Sequence, residues 1–323
     1  MAEAATEPAA GQEASTRPFP RPAADSPAIH VSQLTKSYGP TVAVAGLSMS
    51  VPRGEVFGFL GPNGAGKTTV VKLLLGLARP TAGEGMLLGS PLGSLEARRQ
   101  VGYLPELFRY QGWLKAREVL ALHCRLAQLE RSSWPEAISG ALRTVGLTER
   151  ADDRVASFSK GMQQRLGLGV ALLGSPRLVL LDEPTSALDP VGRHDVREIV
   201  RGLRDQGVAV FLNSHLLAEV EQVCDRVAVV DHGRVIAAGR LDELLARPQV
   251  RVRCTGLGAV AQQQLSVFGV ITDAEGWLTV SGIDPGRVPD LVGAVVAAGG
   301  RVYEVDPGQQ TLEERFLQLI EAD

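Results

Sequence analysis

The chain is short of lysine, of cysteine and of long apolar runs. Only five of its 33 basic residues are lysine (Lys36, Lys67, Lys72, Lys115 and Lys160), so arginine is its background cation. A compact ammonium and a forked guanidinium are not interchangeable, which makes a lysine inside a motif informative. Three cysteines, Cys124, Cys224 and Cys254, stand far apart with no C-x-x-C spacing. That argues against a zinc ribbon or a disulfide scaffold and reads as three small core or surface thiols in a reducing compartment. The longest apolar stretches, such as 291–300, fall short of the roughly 18–20 residues that cross a bilayer, so no span is expected. With 33 basic against 36 acidic residues, the net charge of −3 supplies no field toward polyanions, and no nucleic-acid partner is expected.

What is present suits two domains, or one large domain with an appendage: 323 residues, 45% of them hydrophobic. Residues 1–28 are rich in Ala, Pro, Glu and Ser and nearly free of large apolar side chains, which predicts a disordered tail. They lack the basic start and apolar run of a signal peptide. From Ile29 short β-type runs begin, IHVSQLTKSY and TVAVAGLSMSV with alternation, then Val56 to Leu60 as an unbroken apolar strand. A helix is expected from Lys67. The block from about Ser94 to Ala156 is mostly helical in character, a subdomain of about 94–165 inserted in the α/β core. Strand-like runs at 178–181, 208–212 and 227–230 alternate with helical patterns at 190–205 and 216–224, predicting β-α-β crossovers and a mainly parallel sheet. A break is expected near Arg247-Pro248. Beyond it, at 248–323, the order strand, amphipathic segment, strand, strand, helix, strand predicts a small split-βαβ accessory domain, followed by a final helix at 311–320.

Gly61-Pro62-Asn63-Gly64-Ala65-Gly66-Lys67-Thr68 fits G-x-x-x-x-G-K-[ST], directly after an apolar strand and opening a helix, with Thr69 next in line. Glycines let successive backbone N–H groups converge on phosphate oxygens, and the helix N-terminus adds partial positive charge. Lys67 then bridges the β- and γ-phosphates of a nucleotide, and the Thr68 hydroxyl is a ligand for Mg²⁺.

A second apolar strand, Leu178 to Leu181, ends in Asp182-Glu183. Alone it also suits a strand running into a helix cap; beside the loop at 61–68, Asp182 becomes a metal-side carboxylate and Glu183 the group that polarises an attacking water. A third strand leads into Asn213-Ser214-His215, where His215 is placed to hydrogen-bond the γ-phosphate, although a lone histidine is more often structural.

At this point the residues resemble a family, the ATP-binding-cassette (ABC) ATPases, over roughly residues 29–245. Phe158-Ser159-Lys160-Gly161-Met162-Gln163-Gln164-Arg165 looks like their signature motif. Ser186-Ala187-Leu188-Asp189 resembles the D-loop, His215 the switch histidine, Tyr38 the adenine-stacking aromatic, and Gly102 to Glu106 occupies the Q-loop position. The ending TLEERFLQLI after a small αβ domain is similar to the ATPase subunits of ABC-2-type exporters.

The resemblance implies a P-loop NTPase fold, ATP and Mg²⁺ as cofactors, and a head-to-tail homodimer through ATP. Each nucleotide is held by one protomer's loop and by Ser159 and Gly161 of the other, with Asp189 communicating across the interface. It further implies separate transmembrane permease subunits and a place at the cytoplasmic face of the cell membrane. Phe108, Tyr110 and Trp113 are either a groove for a permease helix or core of the helical insert.

Lys160 and Met162 depart from the usual signature Gly and Gln, and Glu106 replaces the Q-loop Gln, adding negative charge near the triphosphate. Two other classes share part of the pattern. A soluble ABC ATPase acting on ribosomes or DNA usually carries two cassettes, a coiled-coil insertion or zinc motifs, and a low-turnover nucleotide-sensing module fits the departures at 106 and 160.

Overall fold

The computed structural model describes residues 26–186, 188–245, 249–258, 265–274, 276–306 and 311–321. Alternation makes an antiparallel hairpin of β1 (Ile29–Tyr38) and β2 (Thr41–Val51), with Ile29, Val31 and Leu34 buried and His30, Ser32 and Gln33 exposed. β3 (Val56–Leu60) is buried at every position and leads through the loop at 61–66 into α1 (Lys67–Leu74). β4 (Ala82–Leu87) and β5 (Ser90–Pro91) extend the hairpin to a sheet ordered β2-β1-β4-β5. Sequence reasoning missed β4 because Gly83 and Gly85 dilute its apolar pattern. Gly85 is there for packing, since a Cβ would stand 2.8 Å from the Val31 side chain.

After the single turn α2 (Leu95–Arg98), capped by Ser94, comes β6 (Val101–Leu104), a strand of the central sheet. The stretch from Ser94 expected to be helical therefore includes a strand. Four residues are too few to show a period. The helical part proper is α3 (Ala116–Leu126), α4 (Trp134–Thr144) and α5 (Lys160–Ala171), which bury Val119, Leu120, Leu142, Leu166 and Leu168 in one cluster with Val145. Phe108 and Tyr110 pack against that cluster, their rings 5.3 Å apart, whereas Trp113 is 73% exposed. The three aromatics are thus divided between core and surface.

β7 (Leu178–Asp182), α6 (Pro190–Asp205), β8 (Ala209–Asn213), α7 (Leu217–Val223) and β9 (Arg226–Asp231) alternate as crossovers. β10 (Arg234–Arg240) turns back antiparallel on β9 and is followed by α8 (Leu241–Leu245). The sheet order is β10-β9-β3-β8-β7-β6, and every pairing except β10 with β9 is parallel. Phe57, Phe59 and Phe211 stack on one face, and α7 covers the other so closely that a Cβ at Gly58 would come 2.8 Å from Val220.

β11 (Gln249–Thr255), β12 (Val270–Ala274), β13 (Trp277–Ser281) and β14 (Arg301–Asp306) form a separate antiparallel sheet ordered β12-β13-β11-β14. α9 (Val288–Ala297) packs Leu291 and Val295 onto Val250, Val252, Leu278 and Val280. The amphipathic segment expected at 258–267 falls largely outside the described residues. So do the break at Arg247-Pro248 and most of the tail at 1–28. α10 (Leu312–Glu321), read in sequence with the accessory unit, packs elsewhere. Leu312 is buried in the cluster that holds Val220, Val223 and Leu241, and its N–H donates to Glu221 Oε2 at 3.1 Å.

Candidate functional site

Because β3, β6, β7 and β8 are parallel neighbours, their carboxyl ends open on one edge of the sheet. That edge gathers the loop after β3, Glu106 after β6, Asp182-Glu183 at the end of β7 and Asn213-Ser214-His215 at the end of β8. In the loop, a Cβ at Gly61 would meet Val230 O at 2.3 Å, and Gly66, at φ +95°, would meet Ala43 O at 2.2 Å. Only glycine lets the loop pass this close to β9 and β2. Asn63, Gly64 and Thr68 are exposed, Pro62 and Thr69 half-buried, Ala65 buried. The first N–H groups of α1 have no partner within the helix and supply donors at the loop.

Lys67 is buried, and its Nζ donates to Gly61 O at 2.7 Å and Pro62 O at 3.0 Å. Burial lowers its pKa, against the raising effect of Glu183, Asp182 and Glu106. The ammonium is thus held on two loop carbonyls and feels the charge of three carboxylates. Tyr38 sits half-exposed at the tip of the β1/β2 hairpin with Lys36 Nζ 4.9 Å from its ring centre. β2 links it to the loop through Ala43.

Asp182 and Asn213 are register partners on β7 and β8, and Asn213 Nδ2 donates to Asp182 Oδ1 at 2.5 Å. Burial raises the Asp182 pKa, the Asn213 hydrogen bond opposes it, and Glu106 and Glu183 add to it. Glu183 takes φ +52°, a left-handed conformation unusual outside glycine, and its N–H donates to Asn213 O at 2.9 Å. His215 Nδ1 lies 2.8 Å from Glu183 Oε2, a buried oxygen with no other partner. Glu106 is exposed, and its charge raises the pKa of Tyr103 as well, after burial and Asp182.

Ser159, Lys160 and Gly161 stand apart from this edge, at the N-terminus of α5. Ser159 is the cap: its Oγ accepts from Met162 N at 3.2 Å, which leaves the hydroxyl proton free to donate. Gly161 lies 3.8 Å from Leu188, measured from an added Cβ. Asp189 caps α6 by accepting from Gly192 N at 2.8 Å. Ala187 lies outside the described residues. Sequence reasoning passed over Asn213. The available signal was an amide ending a strand that otherwise reads AVFL, opposite the strand that ends in Asp182.

Among the described residues no group of three or more His, Cys, Asp and Glu is arranged to hold a metal ion. Mg²⁺ does not require such a cage, because it keeps waters and takes substrate phosphates as ligands. The buried Asn213 Oδ1, which has no partner, the buried Glu183 Oε2, which has only the His215 imidazole beside it, and the exposed Thr68 hydroxyl fit an ion bound in that way. A cleft of about 1000 Å³ lined by Arg53, Arg143, Arg177 and Gln206 lies beside the opposite ends of β7 and β8, away from this chemistry.

A glycine loop between a buried strand and a helix, with a lysine on the loop and an Asp-Glu pair two strands away, defines a P-loop nucleoside triphosphatase. The profile of the ABC transporter family matches residues 44–186. An uncharacterized ABC transporter ATP-binding protein of Nostoc sp. is 39% identical over 286 residues, 87% of this chain and 84% of that protein. A Nod factor export ATP-binding protein I of Rhizobium sp. is 40% identical over 301 residues, 90% of this chain and 96% of that one. A solved ATP-binding subunit of an ABC transporter superposes with a TM-score of 0.61 at 32% identity, covering 67% of this chain and 91% of its own. The chain belongs to the ATP-binding proteins of ABC transporters and is an ATP hydrolase of that type.

Proposed function

We propose that this chain is the energy-supplying subunit of an exporter, binding ATP between two copies of itself and driving separate transmembrane subunits from the cytoplasmic face of the membrane. The observation that carries the reading is the similarity to the Nod factor export protein along nearly its whole length. Two features of the chain support it. The exposed N-terminus of α5 presents Ser159 Oγ and free N–H groups, an anion site that a second copy's bound ATP completes. No helix among the described residues is long and apolar enough to cross a membrane, while Leu107 and Trp113 stand 87% and 73% exposed on the insert, where they suit a permease helix.

In this reading Tyr38 stacks on the adenine. Gly61 to Gly66 and the first N–H groups at Lys67, Thr68 and Thr69 hold the phosphates. Lys67 leaves its two carbonyl partners for the β- and γ-phosphate oxygens. Glu183 polarises a water for in-line attack on the γ-phosphorus; as the new P–O bond forms, the bond to the β-phosphate oxygen breaks, releasing ADP and phosphate. His215 holds the γ-phosphate and orients Glu183. Thr68, Asp182 and Glu106 would hold Mg²⁺, which would supply charge neutralisation at the phosphates. Hydrolysis removes the charge that holds the two surfaces together.

Two measurements test this. Glu183→Gln should trap an ATP-dependent dimer in solution, and wild-type chain expressed in its native membrane should copurify with a multi-span protein after detergent extraction, an association weakened by Trp113→Ala. A chain that stays monomeric with ATP and never associates with membranes is not an exporter subunit.

A further inference from the structure

Asn213 is the least explained polar residue of the site. It is 2% exposed, at the end of the strand lying between the loop strand and the strand of Asp182, in register with Phe59 on one side and Asp182 on the other. Two of its groups have assignable roles. The carboxylate of Asp182 only accepts, so the amide nitrogen must face it, at 2.5 Å, and the amide orientation is fixed by chemistry. Its backbone carbonyl takes the N–H of Glu183, which helps hold that residue at φ +52°. The remaining oxygen, Oδ1, is buried with no hydrogen-bond partner. An amide oxygen desolvated without a partner costs stability, and such an atom in a native site calls for a ligand that is absent from the chain itself.

The geometry points to Asn213 as a positioning residue for the metal side of the site. Nδ2 fixes the rotamer of Asp182, and Oδ1 accepts a hydrogen bond from a water in the coordination shell of Mg²⁺. This deepens the ATPase reading and rests on it. A serine or threonine at this strand end is too short to span both partners; a valine or leucine leaves Asp182 without its donor. The amide is the shortest side chain that offers a donor and an acceptor on one planar group.

The test separates positioning from mere packing. Binding of a fluorescent ATP analogue is measured in EDTA and across a Mg²⁺ titration, for the wild-type chain, Asn213→Leu of similar volume, and Asn213→Thr in case the leucine variant fails to fold. Mn²⁺ binding is followed by electron paramagnetic resonance in the presence of nucleotide. The expected result is metal-free affinity within about twofold of wild type, with the Mg²⁺ half-saturation raised and Mn²⁺ binding weakened by about 10- to 100-fold, the size typical of lost outer-shell support. Equal losses with and without metal in both variants mean a structural role and overturn the assignment, as does an unchanged Mg²⁺ half-saturation. A wild-type chain whose nucleotide binding ignores Mg²⁺ overturns the ATPase reading of the metal side together with this one.

Discussion

His215 Nδ1 lies 2.8 Å from Oε2 of Glu183, bringing the end of one buried strand into contact with the residue after another. Glu183 is held from three directions, by that imidazole, by the carbonyl of Asn213 on its N–H and by Ser186 Oγ on its own carbonyl at 3.2 Å. A carboxylate restrained this way is suited to orient a water. Glu183→Gln should lower turnover by about 10²–10⁴-fold while nucleotide affinity stays within a few-fold, measured by phosphate release and by equilibrium binding. Loss of binding and turnover together would instead mean that Glu183 supports the loop.

Glu106 acts on the same site through charge. Its charge favours the Lys67 ammonium against the effect of burial and helps raise the pKa of Asp182. Glu106→Gln removes one negative charge beside the proposed triphosphate site and should tighten metal-free ATP binding by about fivefold, equivalent to ~1 kcal/mol. The gain should shrink as salt is raised. Unchanged affinity at low salt counts against a role for this carboxylate.

A pH effect is expected in the helical part. His123 stacks edge-on to Tyr110, centroids 5.7 Å apart, and burial lowers its pKa below 6.5. The native state then binds the proton less well than the unfolded chain, so stability contributed by neutral His123 is present above pH 6.5 and falls as the pH drops below it. His123→Gln should flatten this part of a denaturation profile taken between pH 7 and 5. An identical slope in the variant assigns the acid sensitivity elsewhere.

Leu312 ties the last helix to α7, which starts two residues after His215. Leu312→Ala should cost about 2–5 kcal/mol by chemical denaturation, the usual range for a fully buried leucine. A loss below 0.5 kcal/mol would mean that α10 frays from α7 in solution.

Much of the core is local, and local features were legible in sequence. Alternation marked β1 and β2, an unbroken apolar run marked β3, and the Gly-Lys-Thr loop marked the start of α1. β4 and β6 stayed hidden because glycines and short length erase the period on which such reading depends. The accessory sheet was legible as an order of elements, but the destination of its last helix was not, since an amphipathic stripe says that a face is buried without saying against what.

The amino-acid order by itself determined the chemistry available: a glycine-rich loop of P-loop pattern, a paired Asp and Glu, a histidine after a buried strand, and a scarce lysine, Lys67, in that loop. Only the tertiary structure decided which groups meet. Parallel pairing set Asp182 beside Asn213, 31 positions apart in the chain, left one amide oxygen without a partner, and placed Lys67 among three carboxylates from two other strand ends. Register between strands is set by the packing of the whole sheet, so these contacts exist only once it has formed.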